Sequence, residues 1–436
     1  MSPSELSIIV FLELFAIVLA ARVVGWIGKK FLGQPQVVGE MIAGVVLGPS
    51  LFGLIAPDLQ AAFFPAEARS VLYVGAQLGV GLYMFLVGLG FDKAHFRANL
   101  GSGSAISFAG VLAPFVLGAL MTPWLMSEGL FSDELGLTQS VLFIGACISI
   151  TAFPMLARII HERGLSNSPL GSLSLAAGAI GDAAAWIILA VVLATFGAGM
   201  GIAVKAIACA SAFAVLMIGV GPRLFAGLGR AAERKGEVDF SLLATVLMLF
   251  LLSACAMDWA GMHAVFGGFL LGTAMPRGLL TRELRAKLEP ITVVLLLPMF
   301  FTYSGLNTKL DVMADPALLG VGAAILAASV LAKFGACWAA ARLTGQDNPT
   351  ALGIGALMNA RGLMELILIN IGLQRGLIGV PLFSILVLMA VLTTLMASPL
   401  FELVYGRKAR QRGELGQLKD VVEGDGPVVA PREAAT

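Results

Sequence analysis

Apolar residues in this chain come in long runs separated by short polar knots. The runs fall at about 7–27, 36–55, 70–89, 103–126, 139–158, 172–197, 200–222, 240–257, 260–277, 287–305, 316–343, 351–371 and 378–405. Each is close to the roughly 20 residues that a helix needs to cross ~30 Å of hydrocarbon. The pattern predicts an all-α polytopic membrane protein with about thirteen transmembrane helices over residues 1–405. A polar cytoplasmic tail, expected to be disordered, follows at 406–436. The first boundary and the 240–277 region are the least sharply marked, because short connections there are compatible with a merged hairpin.

Composition agrees with lipid as the solvent. Of 436 residues, 58% are hydrophobic and 13% charged, with a mean hydropathy of +0.93. A soluble domain carries about a quarter charged residues. The net charge of +1, with no basic tract interleaved with aromatics, gives no sign of a nucleic-acid partner. Cys147, Cys209, Cys255 and Cys337 all lie within apolar runs and read as small hydrophobes. The first run lacks a basic flank and reads as a retained span, not a cleaved signal. No Walker motif, no GxGxxG in a strand–helix setting, no metal-ligand cluster and no nucleophile with a base is evident, so neither an enzyme nor a nucleotide partner nor any cofactor is expected.

Loop charge orients the spans. With the N-terminus outside and alternating crossings, the inner side receives 22 of the 28 basic residues, and the outer side only Arg69, Lys309 and Arg375. Lys205, Lys333 and Arg361 lie within spans. Merging any two helices would invert every later loop, so this bias supports an odd count and a cytoplasmic C-terminus. The expected location is a bacterial inner or plasma membrane.

Two spans contain breaks near mid-depth. The fifth reads LFIGACISITAFPMLARII, where Pro154 removes a backbone donor beside Ser149 and Thr151. The twelfth reads ALGIGALMNARGLMELILINIG, with Asn359 and Gly362 around Arg361. Pro154, Gly362 and, in the sixth span, Gly181 are the expected break points. Freed backbone is tolerated at that depth only inside protein or along a wet cavity. The breaks are seven spans apart, the parity of an inverted repeat whose two broken helices cross near the midplane. Ordinary kinking is the plainer reading of either break alone.

The sixth span, SLSLAAGAIGDAAAWIILAVVLATF, holds Asp182 as its only ionisable group. Burying a carboxylate in hydrocarbon costs several kcal/mol, so it should face the bundle interior or water. Desolvation favours the protonated acid. A carboxylate that holds a proton or a cation, never both, is the group an exchanger requires. A fixed partner for a buried base is its structural alternative. Lys333, deep in VLAKFGACWAA, has two roles open to it: pairing with Asp182, or holding crossed helix ends together. Arg361 and Glu365, four apart, share a helix face and are expected to pair. Asn359 is suited to ligating an ion or to capping the second half-helix. Glu13 and Glu40 lie nearer span ends. His263 reads as an outer-rim contact, Lys205 as a snorkelling base, and GGFLLG at 267–272 as a close helix contact.

Four stretches carry a resemblance: QPQVVGEMIAGVVLGPSLFG (34–53), SITAFPMLARII (149–160), GMHAVFGGFLLGTAMPR (261–277) and MNARGLMELILINIGLQRG (358–376). With the Asp182 segment and FFTYSGL at 300–306, the chain resembles the second branch of the monovalent cation:proton antiporter superfamily. It looks most like the plant cation/proton exchangers and the fungal K⁺/H⁺ antiporters. The resemblance implies a homodimer in which core helices (about 103–197 and 316–405) move against a dimerisation scaffold. It also implies one site for K⁺ or Na⁺, with Asp182 on the second position of the family's acidic pair. Gly181 stands at the first position, so the usual partner of the lysine matching Lys333 is missing and a backbone carbonyl becomes an alternative. A single carboxylate further points to electroneutral one-for-one exchange. The expected function is a secondary K⁺ or Na⁺/H⁺ antiporter using Asp182, Thr151, Ser149 and Asn359. The alternatives are a cation channel and a sensor with vestigial transport.

Overall fold

The computed structural model describes residues 2–32, 34, 36–91, 100–132, 135–165, 168–193, 200–261, 264–306 and 315–412. His263, the loop bases Lys93, Arg97 and Lys309, and the tail beyond 412 lie outside them. In chain order the helices are α1 (Pro3–Leu32), α2 (Gln36–Leu47), α3 (Ala66–Gly90), α4 (Leu100–Ser127), α5 (Leu137–Ser149) and α6 (Phe153–Glu162). Next come α7 (Pro169–Leu193), α8 (Met200–Val215), α9 (Phe240–Trp259), α10 (Ala264–Ala274), α11 (Leu279–Ile291) and α12 (Leu297–Leu306). The last are α13 (Pro316–Leu343), α14 (Asn348–Leu357), α15 (Leu363–Gln374) and α16 (Val380–Phe401). Among the described residues, eight helices are long and apolar enough to cross a membrane, and α5 and α10 are shorter apolar helices. The chain is a helical membrane-spanning protein.

Local chemistry starts these helices. Asp239 and Asp315 precede α9 and α13, and their carboxylates accept the N–H groups of Leu242 (3.0 Å) and Ala317 (2.9 Å). An anion here satisfies an orphan donor and meets the positive end of the helix dipole. One boundary departs from the sequence expectation. α16 continues through a π-helical turn at 402–406 into a short helix at Arg407–Gln411. The start of the tail is therefore helical, because Tyr405 and Ala409 keep a buried stripe going beyond the apolar run.

One succession of elements occurs twice: a long helix, two half-helices, a long helix. It is α4, α5, α6, α7 in the first copy and α13, α14, α15, α16 in the second. Their packings match, with α4–α5 answering α13–α14, α6–α7 answering α15–α16, and α4–α7 answering α13–α16. The two long leading helices, α4 and α13, pack on each other. The result is an inverted repeat with two crossed discontinuous helices.

Two pairs of the remaining helices pack through glycine. α3 lies against α10 and α2 against α12. A Cβ on Gly272 of α10 would sit 2.2 Å from the Phe85 carbonyl oxygen of α3, and one on Gly305 of α12 would sit 2.1 Å from the Gly44 carbonyl of α2. Only hydrogen fits at these crossings, which is how backbones come close without a hydrophobic driving force. The GGFLLG stretch is thus a helix contact, as its small residues predicted.

Candidate functional site

α5 ends at Ser149 because Ile150 turns to extended backbone (φ −65°, ψ 135°), and α6 begins only at Phe153. The break therefore lies at 150–152. Pro154 does not interrupt a turn. It is the second residue of α6, a first-turn position where its missing N–H costs nothing. α14 ends at Leu357 and α15 starts at Leu363, leaving 358–362 unwound. Gly362 is extended (φ 164°), a conformation open to any residue. What it supplies is room, since a Cβ there would lie 2.9 Å from Met155 Cγ. Gly181, the third expected break point, is corrected by the structure. It lies inside the continuous helix α7, where its missing side chain brings the Ser107 hydroxyl of α4 within 3.1 Å of a would-be Cβ.

The two breaks touch. The Ala152 N–H donates to the Ala360 carbonyl at 3.2 Å, and both residues are fully buried. Four helix ends converge on this point. The C-terminal ends of α5 and α14 bring unsatisfied carbonyls, and the N-terminal ends of α6 and α15 bring unsatisfied N–H groups.

Buried cations cap the α5 end. Arg361 donates to the carbonyls of Cys147 (2.9 Å) and Ile148, and Lys333 donates to that of Ser149. Of the roles open to Lys333, the structure displays the backbone-carbonyl contact. Arg361 also donates to the Ser329 hydroxyl and lies 3.4 Å from Glu365, with both members of the pair at 0% exposure. Ser329 is one turn before Lys333 on α13, so one face of that helix meets the crossing with both groups. The expected Arg361–Glu365 pair is therefore present. The α14 end is capped from within, by the Asn359 amide donating to the Gly355 carbonyl at 2.9 Å. The same side chain leaves Oδ1, buried, with no hydrogen-bond partner among the described residues.

Asp182 is the fourteenth residue of α7 and only 6% exposed. Gly178, one turn earlier on the same face, packs against Phe153 and Leu156 at the start of α6; a Cβ there would lie 3.2 and 2.7 Å from them. That contact turns the carboxylate's face of α7 toward the first break. α7 also packs on α14, which carries the second. Thr151 (2% exposed) lies in the first break. The Ser149 hydroxyl is turned back onto its own helix, 3.2 Å from the Ala146 carbonyl.

Sequence reasoning missed Thr394 of α16. Its hydroxyl accepts the Arg361 N–H at 3.0 Å and lies 2.8 Å from both the Arg361 and Ala390 carbonyl oxygens. A lone hydroxyl in an apolar span carries no signal of its own, because Ser and Thr commonly bond to their own helix. Glu13 stands apart from the crossing. It occupies the packed stripe of α1 that includes Ile17, and neither carboxylate oxygen has a hydrogen-bond partner among the described residues. Lys205 rests its ammonium over the Trp259 ring at 4.0 Å, the outward contact expected of a snorkelling base.

Comparison with known proteins bears on the whole arrangement. The family model described as the transmembrane sodium/hydrogen exchanger matches residues 18–404. The chain is 36% identical over 408 residues to the Na(+)/H(+) antiporter NhaS4 of Synechocystis, covering 91% of this chain and 97% of that protein. It is 32% identical to the K(+)/H(+) antiporter 1 of Saccharomyces cerevisiae, over 91% of this chain but only 46% of the yeast protein. The structure of the sodium proton antiporter MjNhaP1 from Methanocaldococcus jannaschii superposes with a TM-score of 0.59, covering 95% of this chain and 99% of that one at 13% identity, and shares the fold. By the extent of these matches, the chain belongs to the sodium/hydrogen exchanger transmembrane family.

Proposed function

We propose that this protein is a secondary antiporter that exchanges K⁺ or Na⁺ for H⁺, one for one, across the membrane in which it folds. The buried carboxylate of Asp182, on the face of α7 that packs at the crossing of two broken helices, carries this reading. In the ionised form it attracts a monovalent cation, and the Asn359 Oδ1 and Thr151 oxygens complete the surroundings. In the protonated form it is neutral and holds no cation. Each form excludes the other, so each crossing carries one positive charge. The cycle as a whole moves none. Arg361, Lys333 and Glu365 act as fixed charges that keep the helix ends in place. The Ser149 hydroxyl, turned onto its own helix, is left with the weakest claim among the proposed ion ligands.

Alternating access is assigned to the two repeat copies, 103–197 and 316–405, moving against the remaining helices. α2 and α3 touch the mobile part at α6, and α2 also at α16. A homodimer with the N-terminus outside and the C-terminus in the cytoplasm completes the proposal. Relatives bearing the names Na(+)/H(+) and K(+)/H(+) antiporter support exchange in general.

The test is purified protein in liposomes, with internal pH followed after K⁺, Na⁺, Li⁺ or Rb⁺ is added in turn. Saturable, cation-driven proton movement is expected, lost in Asp182→Asn while the protein stays folded. An unchanged rate in that variant removes Asp182 from the mechanism. Single-channel currents in a bilayer would replace the carrier by a pore.

A further inference from the structure

The unwound peptide of the second break is held from outside its own segment. Thr394 accepts the Arg361 N–H at 3.0 Å, and its hydroxyl oxygen lies 2.8 Å from both the Arg361 and the Ala390 carbonyl oxygens, either of which can take its proton. Thr394 is fully buried, as are Ala360 and Arg361. A residue with no helix around it would leave its N–H and its carbonyl unsatisfied at this depth, and one hydroxyl reaches both. Among the described residues, the neighbouring Thr393 bonds within its own helix alone, to Met389 (2.8 Å) and Ala390 (3.1 Å).

The place of Thr394 in the repeat is informative. α7 and α16 are the corresponding last helices of the two copies. Asp182 is the fourteenth residue of α7 and Thr394 the fifteenth of α16. At corresponding positions along these two helices, then, each copy carries a polar group on a helix beside its break: a carboxylate in the first, a hydroxyl in the second.

We infer that Thr394 is a positioning residue of the exchange site, fixing the Arg361 peptide and through it Asn359 and the contact between the two breaks. The links are short. The Ala360 carbonyl that accepts from Ala152 belongs to the same peptide unit as the Arg361 N–H that Thr394 accepts. Asn359, with its unpartnered Oδ1, is one residue further back. Freeing the Arg361 peptide lets both drift relative to Asp182. Since a bound cation needs all these oxygens together, affinity suffers before turnover does. This inference rests on the exchange reading above.

The test compares Thr394→Val, Thr394→Ser and Thr393→Val in proteoliposomes, with initial exchange rates taken over a range of K⁺ and Na⁺. Thr394→Val is expected to raise the cation KM about tenfold while the maximal rate stays within about twofold, the pattern of lost ground-state binding. Thr394→Ser keeps the hydroxyl and restores the original KM. Thr393→Val leaves both parameters unchanged. If Thr394→Val does not assemble, Thr394→Cys, a weak donor and acceptor of similar size, is expected to give a smaller rise in KM. A second readout is the cation concentration that half-stabilises the detergent-solubilised protein against heat, which should shift by the same factor. A Thr394→Val protein with the original KM, or a serine variant as impaired as valine, overturns the inference and leaves antiport standing. A wild-type protein that neither exchanges nor binds monovalent cations overturns both.

Discussion

The Ala152 N–H meets the Ala360 carbonyl at 3.2 Å, so the two interrupted helices are joined backbone to backbone at the point where they cross. Two chain segments some two hundred residues apart thereby share one hydrogen bond between fully buried residues. Around it, Arg361, Lys333 and Asn359 meet the carbonyls of Cys147, Ser149 and Gly355, and Thr394 meets the Arg361 N–H. Asp182 faces this assembly from α7. Four consequences can be measured there, and a fifth on α1.

If proton and cation compete for one carboxylate, the cation KM depends on pH with a fixed sign. The proton-bound form gains population as pH falls, so lowering pH raises the KM, approaching about tenfold per pH unit on the acid side. Exchange rates across a matrix of pH and K⁺ or Na⁺ concentration measure this. A KM independent of pH would separate the two ions onto different groups.

If Asp182 is the one exchanging carboxylate and the Arg361–Glu365 pair stays closed through the cycle, a full cycle transfers no net charge. Exchange in proteoliposomes is expected to be insensitive to an imposed membrane potential. A clear voltage dependence would mean a coupling ratio other than one to one.

The partner of Lys333 is a neutral carbonyl. An amide can also donate to it, so Lys333→Gln should retain folding and part of the exchange rate. Lys333→Met leaves the Ser149 carbonyl bare and should cost ~1–3 kcal/mol of stability. Thermal unfolding in detergent compares the two. Equal losses would show that the charge matters and not the hydrogen bond.

Arg361 and Glu365 are both fully buried and 3.4 Å apart. Removing either partner strands the other, a cost of ~3–5 kcal/mol. Arg361→Ala is expected to be the worse, because it also strips the Cys147 and Ile148 carbonyls. In a double-mutant cycle with Glu365→Ala, a coupling energy above ~1 kcal/mol is expected. Strict additivity would show that the pair contributes nothing as a pair.

Glu13 sits 1% exposed on the packed stripe of α1, with both oxygens lacking a donor. An apolar residue of similar length removes that desolvation cost at the loss of the attraction from Arg69, so Glu13→Leu should raise the unfolding temperature where desolvation is the larger. A lower unfolding temperature would assign the carboxylate a partner or a task.

Much of the architecture was readable from periodic chemistry. Run length and loop charge predicted a polytopic helical bundle. Pro154 and the Asn359–Gly362 cluster marked the two interrupted segments to within a few residues. The four-residue spacing of Arg361 and Glu365 announced their pair. Gly181 misled because glycine in a helix interior signals either a break or a close neighbour, and nothing local separates the two; Ser107, 74 positions earlier, decides for the second. The short helix at Arg407–Gln411 escapes the sequence for a similar reason, since Ala409 is buried by neighbours that the polar tail sequence does not mention.

The sequence by itself determined what must be buried and which charges would be costly there. Those are properties of single residues in a low-dielectric medium, and each span displays them alone. Only the tertiary structure decided which group satisfies which. The Ser149 carbonyl for Lys333, the Thr394 hydroxyl for the Arg361 peptide and the Ala360 carbonyl for Ala152 are pairings across 184, 33 and 208 positions. Hydrogen bonds act over about 3 Å while the chain between their ends is long, so a linear pattern holds no record of them until the helices cross.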